Sequence, residues 1–282
     1  MLPQDDFTTQ RPALLGLAYR MLGSRADAED VVQEAWLRWS SAAGVDNPAA
    51  WLRTVVTRLC LDELRSARVR RESYVGPWLP EPVHTADGAL GPLDTVELRD
   101  SLSLGFLHLL ERLSASERAV FVLREAFSLP YDEVAETVGR SVTACRQLHV
   151  RARAKLGAEL PPGRAPSRRE LLDQLVMAVA SADITGLTAL LADDAVMVSD
   201  GGGVVSAARR PVEGADRIAR FLVGVGPRVP AGATVEVEEI NGAPCLLVRV
   251  AGVVAQVLSV EVADGRVRSL QLVSNPEKLS RL

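Results

Sequence analysis

Apolar residues recur at steps of three and four along much of the first 160 residues, a spacing that predicts amphipathic helices. The pattern is clearest in residues 131–156. There Val134 and Val138 lie on one face of a short helix, Gly139 forms a tight turn, and Ser141 is placed to cap a second helix. The buried face of the second helix is predicted to contain Cys145, Leu148, Ala152 and Leu156.

The other face of this second helix is polar and cationic. A short buried helix, a glycine turn and a helix with such an exposed face are typical of a helix-turn-helix, whose second helix enters the DNA major groove. The alternative is a plain helical hairpin with a solvated basic face. The exposed residues are Thr143, Ala144, Arg146, Gln147, Arg151 and Arg153.

Three helices are predicted between Arg11 and about Arg71. The first ends near Gly23, and Ser24 caps the second, which has an acidic side and an apolar side. Asn47-Pro48 is a start signal for the third, because it combines a cap residue with proline at the first helical position. The third helix ends in a dense cationic cluster of Arg65, Arg68, Arg70 and Arg71.

A Pro- and Gly-rich stretch then separates two helical regions. Residues 74–99 show no helical period, and Trp78 within them suggests that this linker docks on another surface. A helix is predicted from Asp100 to Leu113, followed by a capping box at residues 114–117.

The pattern changes after a second breaker-rich stretch at residues 161–167. Helices are predicted first and β-branched strands later, with Asn241-Gly242 and Asp264-Gly265 as hairpin turns. We predict an α+β domain in which helices cover a sheet of antiparallel strands. The predicted elements are helices at 168–180, 184–191 and 213–222 and strands at 195–199, 234–240, 245–250, 253–260 and 266–273.

Composition and charge restrict the classes of function. The chain of 282 residues is 48% hydrophobic with a formal net charge of −4, so a nucleic-acid surface must come from local clusters. Its three separated cysteines indicate buried thiols in a reducing compartment, without a structural metal. With no signal-peptide or membrane-spanning pattern, we expect a cytoplasmic protein.

The ordered motifs of the first 160 residues resemble a known family. The acidic helix SRADAEDVVQEAWLRW, the helix NPAAWLRTVVTRLCLDELR, a linker and the block ERAVFVLREAFSLPYDEVAETVGRSVTACRQLHVRARAKL look like the two-domain architecture of extracytoplasmic-function sigma factors of the sigma-70 superfamily. This resemblance implies an alternative sigma factor that binds core RNA polymerase, recognises −35 and −10 promoter elements and initiates transcription.

The rest of the chain resembles the sigma-J type of that family. The linker YVGPWLPEP, the loop DGGG at residues 200–203 and the motif NPEKL at residues 275–279 are similar to features of this type, which carries a fused SnoaL-like domain. The implied fold is multidomain: two all-α sigma domains, the second a helix-turn-helix, and an α+β cone of the SnoaL-like, nuclear-transport-factor-like kind. The implied boundaries are 1–73 for sigma region 2, 74–99 and 161–167 for linkers, 100–160 for sigma region 4 and 168–282 for the regulatory domain.

The resemblance also implies roles for single residues in the first domain. The acidic helix is implied to bind the polymerase clamp through Asp27, Glu29, Asp30, Gln33, Glu34 and Trp36. The third helix and its approach loop are implied to read and open the −10 element, at the cost of taking a base out of its stack. The −10 candidates are Asn47, Trp51, Arg53, Thr54, Thr57, Arg58, Asp62 and Arg65. The competing interpretation of Trp51 is core packing.

The helix-turn-helix is implied to read the −35 element. Arg146 suits guanine and Gln147 suits adenine, because their side chains can pair with the major-groove edges of those bases. Arg151 and Arg153 are expected to contact phosphates, and Arg140 could do either. The −35 candidates are Arg140, Ser141, Thr143, Ala144, Arg146, Gln147, Arg151 and Arg153.

The third domain is implied to regulate the sigma domains in cis. We expect its glycine loop and NPEKL motif to contact the sigma domains or the linker near Trp78. Asp193, Asp194 and Asp200 are expected to be turn and cap residues. The regulatory candidates are Trp78, Asp200, Gly201, Gly202, Gly203, Asn275, Pro276, Lys278 and Leu279.

The expected partners are core RNA polymerase, through its beta-prime clamp and beta flap, and promoter DNA. The third domain could also bind a small-molecule ligand, whose identity the sequence does not give. We expect no cofactor, no metal, no membrane contact and no catalytic residues. Two alternatives remain: a ligand-sensing helix-turn-helix regulator that does not bind core polymerase, and an enzyme with an appended DNA-binding half. The acidic second helix argues against the first, and no acid–base pair supports the second.

Overall fold

The computed structural model describes residues 3–85, 88, 90–91, 96–157, 168–226 and 229–282, leaving aside the side chains of residues 3–6, 67–72 and 96–97. The predicted linker at 161–167 lies outside these residues, as do parts of the linker at 74–99. The chain forms two compact units. Unit 1 consists of Met1–Glu72, Thr85–Leu102 and Leu107–Leu160, and unit 2 of Ser73–His84, Ser103–Phe106 and Pro161–Leu282.

Most of the helices predicted for the two sigma domains belong to unit 1. The predicted helix from Asp100 to Leu113 is wrong, since the chain breaks between two short helices there. Ser103 Oγ accepts the Phe106 N–H (3.2 Å) and Ser101 Oγ donates to the Leu98 carbonyl (2.7 Å), so side chains replace helical bonds at the break. The helices are α1 Pro3–Leu22, α2 Arg25–Ser40, α3 Pro48–Glu72, α4 Val96–Asp100, α5 Leu104–Leu110, α6 Ala115–Glu125, α7 Tyr131–Val138 and α8 Val142–Leu156.

The predicted helix boundaries at polar caps are confirmed. Ser24 Oγ accepts the Asp27 N–H (3.2 Å), and Ser114 and Glu117 form the predicted reciprocal capping box. Ser141 Oγ accepts the Ala144 N–H at the start of α8 (3.2 Å).

Two buried arginines join the helices of unit 1. Arg20 of α1 donates to the Leu98 carbonyl (3.3 Å) and to Ser101 Oγ (2.9 Å), and burial lowers the pKa of Arg20 to about 10. Arg118 of α6 donates to the carbonyls of Leu110 and Met21 (2.7 and 2.8 Å). Each guanidinium satisfies its donors with carbonyls from more than one helix, so removing either arginine would leave several buried acceptors unpaired.

Unit 2 contains the predicted α+β domain. Its helices are α9 Arg168–Ala180, α10 Ile184–Leu190, α11 Ala215–Val225 and α12 Pro276–Leu279. Its strands are β1 Leu191–Asp200, β2 Val212–Glu213, β3 Thr234–Ile240, β4 Ala243–Val250, β5 Val253–Ala263 and β6 Arg266–Val273.

The strands form one mixed sheet in the order β2-β1-β6-β5-β4-β3. The predicted run of antiparallel strands is confirmed for β3 to β6, and β1 joins the sheet by pairing with β6 in parallel. A parallel neighbour needs a long crossover, which α11 and strands β3–β5 provide. The short strand β2 was not predicted. The predicted order of a helical part followed by an α+β domain is confirmed.

Each side of this sheet buries its own apolar cluster. Neighbouring residues such as Val257 and Leu258 point to opposite sides, as strand geometry requires. Leu258 joins the cluster under α9, α10 and α11, whereas Val257 joins a second cluster with Leu79, Leu104 and Leu279. Residues of the linker and of α12 therefore cover the side of the sheet opposite the long helices.

Candidate nucleic-acid interface

The helix-turn-helix has the predicted geometry. Gly139 adopts a left-handed conformation (φ 70°) between α7 and α8. Cys145, Leu148, Ala152 and Leu156 are buried, as their spacing predicted. Seven of the eight −35 candidates are exposed, and Ala144 is half-buried. Together they form one polar and cationic face on α8 and its approach turn.

His149 of α8 fixes the orientation of this helix, a role that the sequence interpretation missed. Its ring is buried and bonded on both sides, through Nδ1 to the Tyr131 hydroxyl (2.8 Å) and through Nε2 to Glu125 Oε1 (2.8 Å). Tyr131 begins α7 and Glu125 ends α6, so one side chain connects three helices. The helical period could have placed His149 beside Leu148 and Ala152 on the buried face.

Several −10 candidates of α3 contact α7 within unit 1. Arg53 Nη2 lies 2.8 Å from Glu133 Oε2, and Thr54 Oγ1 lies 3.5 Å from Thr137 Oγ1. Arg58 donates to the carbonyl oxygens of Glu136 (3.3 Å) and Thr137 (3.4 Å). A cation is favourable at these last-turn carbonyls, because the helix C-terminus carries partial negative charge. The first helix of the helix-turn-helix therefore covers part of the predicted −10 face.

The remaining −10 candidates have different surroundings. Thr57 is fully buried and donates to the Arg53 carbonyl (2.8 Å), so it is not part of an exposed surface here. Trp51 packs against Trp39 with ring centroids 5.6 Å apart, which agrees with the core-packing interpretation. Asp62 and Arg65 form an exposed ion pair (3.0 Å). Asn47 Oδ1 caps α3 through the Ala50 N–H (3.1 Å).

The polymerase-binding candidates lie along α2. Asp30 and Gln33 are exposed, while Asp27, Glu29, Glu34 and Trp36 are half-buried. Glu29 pairs with Arg25 (3.0 Å), Glu34 pairs with Arg38 (2.9 Å), and Trp36 stacks at a tilt on Phe7 (5.0 Å). Leu37 was not predicted, yet it is 55% exposed on the same stripe as Asp30 and Gln33. Leu37 therefore adds one apolar side chain to the exposed polar stripe of α2.

In unit 2, the regulatory candidates meet around the carboxylate of Asp200, which is buried. It accepts hydrogen bonds from the Tyr74 hydroxyl (2.6 Å), the Leu79 N–H (2.9 Å), the Gly202 N–H (3.0 Å) and Lys278 Nζ (2.6 Å). Two of these donors belong to the linker, one to the glycine loop and one to α12. We call this arrangement the linker clasp, consisting of Tyr74, Trp78, Leu79, Asp200, Asn275 and Lys278.

Lys278 and Asn275 complete the linker clasp from α12. Lys278 Nζ lies 4.1 Å from the centroid of the Trp78 ring and also donates to the Leu79 carbonyl. Asn275 Nδ2 donates to the Tyr74 hydroxyl (2.9 Å), while its Oδ1 caps α12. Burial, together with the hydrogen bond to Asp200, raises the pKa of Tyr74. Pro276 is the first residue of α12, and Leu279 is buried in the adjacent apolar cluster.

The glycine loop has no space for a side chain at Gly201, Gly202 or Gly203. A Cβ on Gly202 (φ 63°) would lie 2.5 Å from the Asn275 amide, and one on Gly203 (φ 74°) would lie 2.9 Å from Val75 Cβ. Gly201 is buried, and a Cβ there would lie 2.5 Å from the Val205 carbonyl oxygen. These glycines allow α12 and the linker to approach the loop backbone closely.

Further along the linker, the backbone joins the end of the sheet. The Val83 N–H donates to Asn241 Oδ1 (2.9 Å) and the Asn241 N–H donates back to the Val83 carbonyl (2.9 Å). His84 forms an isolated antiparallel bridge with Ile240, the last residue of β3. The linker from Tyr74 to His84 is thus held at both ends on unit 2.

The carboxylates at the start of β1 have a different role from the expected one. Asp193 and Asp194 lie in a strand, at a register shift against β6, and not in a turn. Their side chains are 98% and 75% exposed and lie near Arg266 (3.7 Å) and Arg268 (3.9 Å). Asp200 is also more than a turn residue, since it holds the linker clasp.

No helix among the described residues combines the length and apolar character needed to cross a membrane. The same part of the chain contains no group of three or more histidine, cysteine, aspartate or glutamate side chains arranged to hold a metal ion.

Comparison with known families defines the class of protein. The model for sigma-70 region 2 matches residues 7–70 and that for sigma-70 region 4 matches residues 103–156. The first range contains α2 and most of α1 and α3, and the second contains the helix-turn-helix. The helical part of the chain is therefore that of a sigma-70 protein.

Relatives that match over nearly the whole chain identify the family more closely. The ECF RNA polymerase sigma factor SigJ of Mycobacterium tuberculosis is 38% identical over 98% of this chain and 92% of its own length. The sigma factor SigI of the same species is 34% identical over 96% and 93%. A crystal structure of M. tuberculosis SigJ matches with a TM-score of 0.80 at 34% identity, covering 99% of this chain and 98% of that one. The chain belongs to the extracytoplasmic-function RNA polymerase sigma factors.

Proposed function

We propose that this sigma factor binds core RNA polymerase through α2 and directs it to promoters by reading a −35 element with α8 and a −10 element with α3. The observation that carries this proposal is the exposed cationic face of α8, which is capped by Ser141 and oriented by His149. A recognition helix presents its N-terminal residues to base edges in this way.

The −35 contacts follow from positions on α8. Arg146 and Gln147 lie in the second turn, where their side chains can reach guanine and adenine edges. Arg151 and Arg153 lie further along the helix and suit phosphate contacts, which position the protein without specifying sequence. Arg140, Ser141, Thr143 and Ala144 lie at the end of the helix that faces the groove.

The −10 contacts require a change within unit 1. Arg53, Thr54 and Arg58 contact α7, so they cannot bind a promoter strand while α3 and α7 remain packed. We infer that promoter binding separates these two helices. The polar part of this packing is one ion pair and a few partly exposed hydrogen bonds, whose loss a large nucleic-acid interface can offset.

Reconstitution with core RNA polymerase tests this function. The full chain should form a complex with core enzyme and start transcription from a subset of a promoter library. Reversing charge on the exposed acidic stripe, with Asp30→Lys, should weaken core binding. The same change at Asp193, which is 98% exposed in unit 2, should not. Failure of the unmodified chain to bind core enzyme would refute the proposal.

We also propose that unit 2 regulates transcription in cis through the linker clasp. The supporting observation is that one buried carboxylate, Asp200, binds the linker, the glycine loop and α12 together. The linker joins the two sigma regions in sequence, so holding or releasing it changes the freedom of those regions relative to each other. Such freedom sets the effective concentration of the second promoter contact once the first is made.

Point substitutions in the linker clasp test this regulation. Lys278→Met removes the partner of Asp200 and the cation on Trp78, and it should change transcription from an identified promoter at least severalfold. Arg266→Met is a matched control, because the Arg266 side chain is 55% exposed and its ion pair with Asp193 is long (3.7 Å) and exposed. Equal transcription by the Lys278→Met and unmodified proteins, both folded, would contradict the regulatory role.

A further inference from the structure

Val150 is an exposed apolar residue in the middle of the recognition helix. Its side chain is 67% exposed, and exposed polar or cationic side chains lie around it at Arg146, Gln147, Arg151 and Arg153. At about 100° per residue, Val150 lies on the same side of α8 as Thr143 and Gln147, opposite Cys145 and Ala152.

Folding does not explain valine at this position. A β-branched residue loses side-chain freedom inside a helix and has a lower helix propensity than alanine. Burial normally compensates for this loss, but Val150 remains largely in water. A single exposed valine needs no explanation on a general surface. Val150, however, lies at the centre of the face of α8 that is proposed to enter the major groove, where an apolar side chain can contact a thymine methyl group.

The position of Val150 fits a base edge. It lies one turn beyond Arg146, about 6 Å along the helix axis, which is just under two base-pair steps of about 3.4 Å. Arg146, Arg151 and Arg153 surround it with positive charge, so the partner that fits this face is polyanionic. Thymine is the base that presents an apolar group, its 5-methyl, in the major groove.

We propose that Val150 is a specificity-determining residue that contacts the 5-methyl group of one thymine in the −35 element. This assignment rests on the proposed reading of the −35 element by α8. It adds apolar recognition to the hydrogen-bonding contacts of Arg146 and Gln147, and it makes one position of the element sensitive to a single methyl group.

The experiment uses the full chain assembled with core RNA polymerase. A duplex library randomised at the −35 element is selected by the unmodified holoenzyme. The selected sequence is then synthesised with deoxyuridine in place of each thymidine in turn, which removes only the methyl group. Binding by the unmodified protein should weaken about three- to fivefold at one thymine, the range expected for one buried methyl.

Val150→Ala should abolish that penalty while keeping the dependence on the other positions of the element. Val253→Ala is the matched control, because Val253 is 68% exposed on unit 2 and should leave the penalty unchanged. The thermal midpoint of Val150→Ala should equal or exceed that of the unmodified protein, because alanine is the better helix former.

The outcomes separate this inference from the function on which it rests. If the unmodified holoenzyme selects no −35 sequence, both are overturned. If a sequence is selected but contains no thymine sensitive to methyl removal, the role of Val150 alone is overturned. The same follows if Val150→Ala retains the full uracil penalty.

Discussion

At the scale of single residues, the side chain of Asp200 gathers four donors in a site without solvent access. A buried carboxylate is stable only when paired and hydrogen-bonded, and here Lys278 supplies the opposite charge. The cost of removing one charge from such a pair is large, because the other remains buried without a partner.

Asp200→Asn should therefore lower the free energy of unfolding by about 3–5 kcal/mol, as measured by urea denaturation. Asp193→Asn, at a side chain that is 98% exposed, should change it by less than about 0.5 kcal/mol. Similar values for the two variants would show that the four hydrogen bonds of Asp200 contribute little to stability.

Because of Tyr74, the free energy of unfolding should depend on pH in the alkaline range. Its pKa is raised in the folded chain, so the unfolded chain releases the phenol proton first, near pH 10. The folded state then holds more protons than the unfolded state, and the free energy of unfolding falls as pH rises above about 10. Tyr74→Phe should make this fall shallower. Denaturation at a series of pH values from about 9 to 11 measures it, and an unchanged slope would contradict the proposed environment of Tyr74.

Some residue roles were accessible from the sequence and others were not. Ser141, Gly139 and the apolar face of α8 follow from local rules of capping and period. The burial of Thr57 and the double hydrogen bond of His149 depend on which helices pack together, and local rules do not contain that information. The sequence indicates a regulatory role for Asp200 because this residue begins the glycine loop. Its four hydrogen-bond donors could not be predicted, because they come from three separate parts of the chain.

At the scale of elements, polar contacts join α3 to α7. Arg53 pairs with Glu133, and Arg58 reaches the carbonyls at the end of α7. These contacts are partly exposed and should open readily compared with an apolar core. The capped ends of the helices were predictable, whereas the break between α4 and α5 was not, because it depends on Ser101 and Ser103 bonding to nearby backbone.

Linking α3 to α7 should block promoter opening. The hydroxyl oxygens of Thr54 and Thr137 are 3.5 Å apart, so sulfur atoms at both positions need only a small shift to form a disulfide of about 2.05 Å. Oxidised Thr54→Cys/Thr137→Cys protein should lose most promoter-dependent transcription with core polymerase, and a reductant should restore it. The three native cysteines are buried and should not interfere.

Each single cysteine variant serves as a control and should be insensitive to oxidation. Full transcription by the oxidised, cross-linked protein would mean that α3 and α7 can stay packed during initiation.

At the scale of the whole molecule, the net charge opposes DNA binding. The formal charge is −4, so attraction to phosphates must come from local clusters of cations, such as those proposed on α3 and α8. The overall fold class was predictable from the order of helical and β-branched segments. The assignment of the linker to unit 2 and the parallel pairing of β1 with β6 were not, because both depend on contacts between residues that are distant in sequence.

Arg151→Gln should weaken holoenzyme binding to different −35 sequences by similar factors. It should also reduce the slope of log affinity against log salt by about 0.9, the value for one lost phosphate contact on duplex DNA. Arg217→Gln removes an exposed charge from α11 and should leave the slope unchanged. A change in base preference with Arg151→Gln would instead assign this arginine to base recognition.

The assignment of the chain to two units in six alternating segments has a consequence for biosynthesis. Leu79 and Leu104 are fully buried beside Val257 and Val273 of β5 and β6, which the ribosome makes more than 150 residues after Leu104. At about 5–20 residues per second, both leucines remain without these partners for roughly 8–40 s. A nascent chain thus carries complete sigma helices before Asn275 and Lys278 exist to close the linker clasp. During each round of translation, the helices that we propose to read promoters are made before the residues that we propose to restrain them.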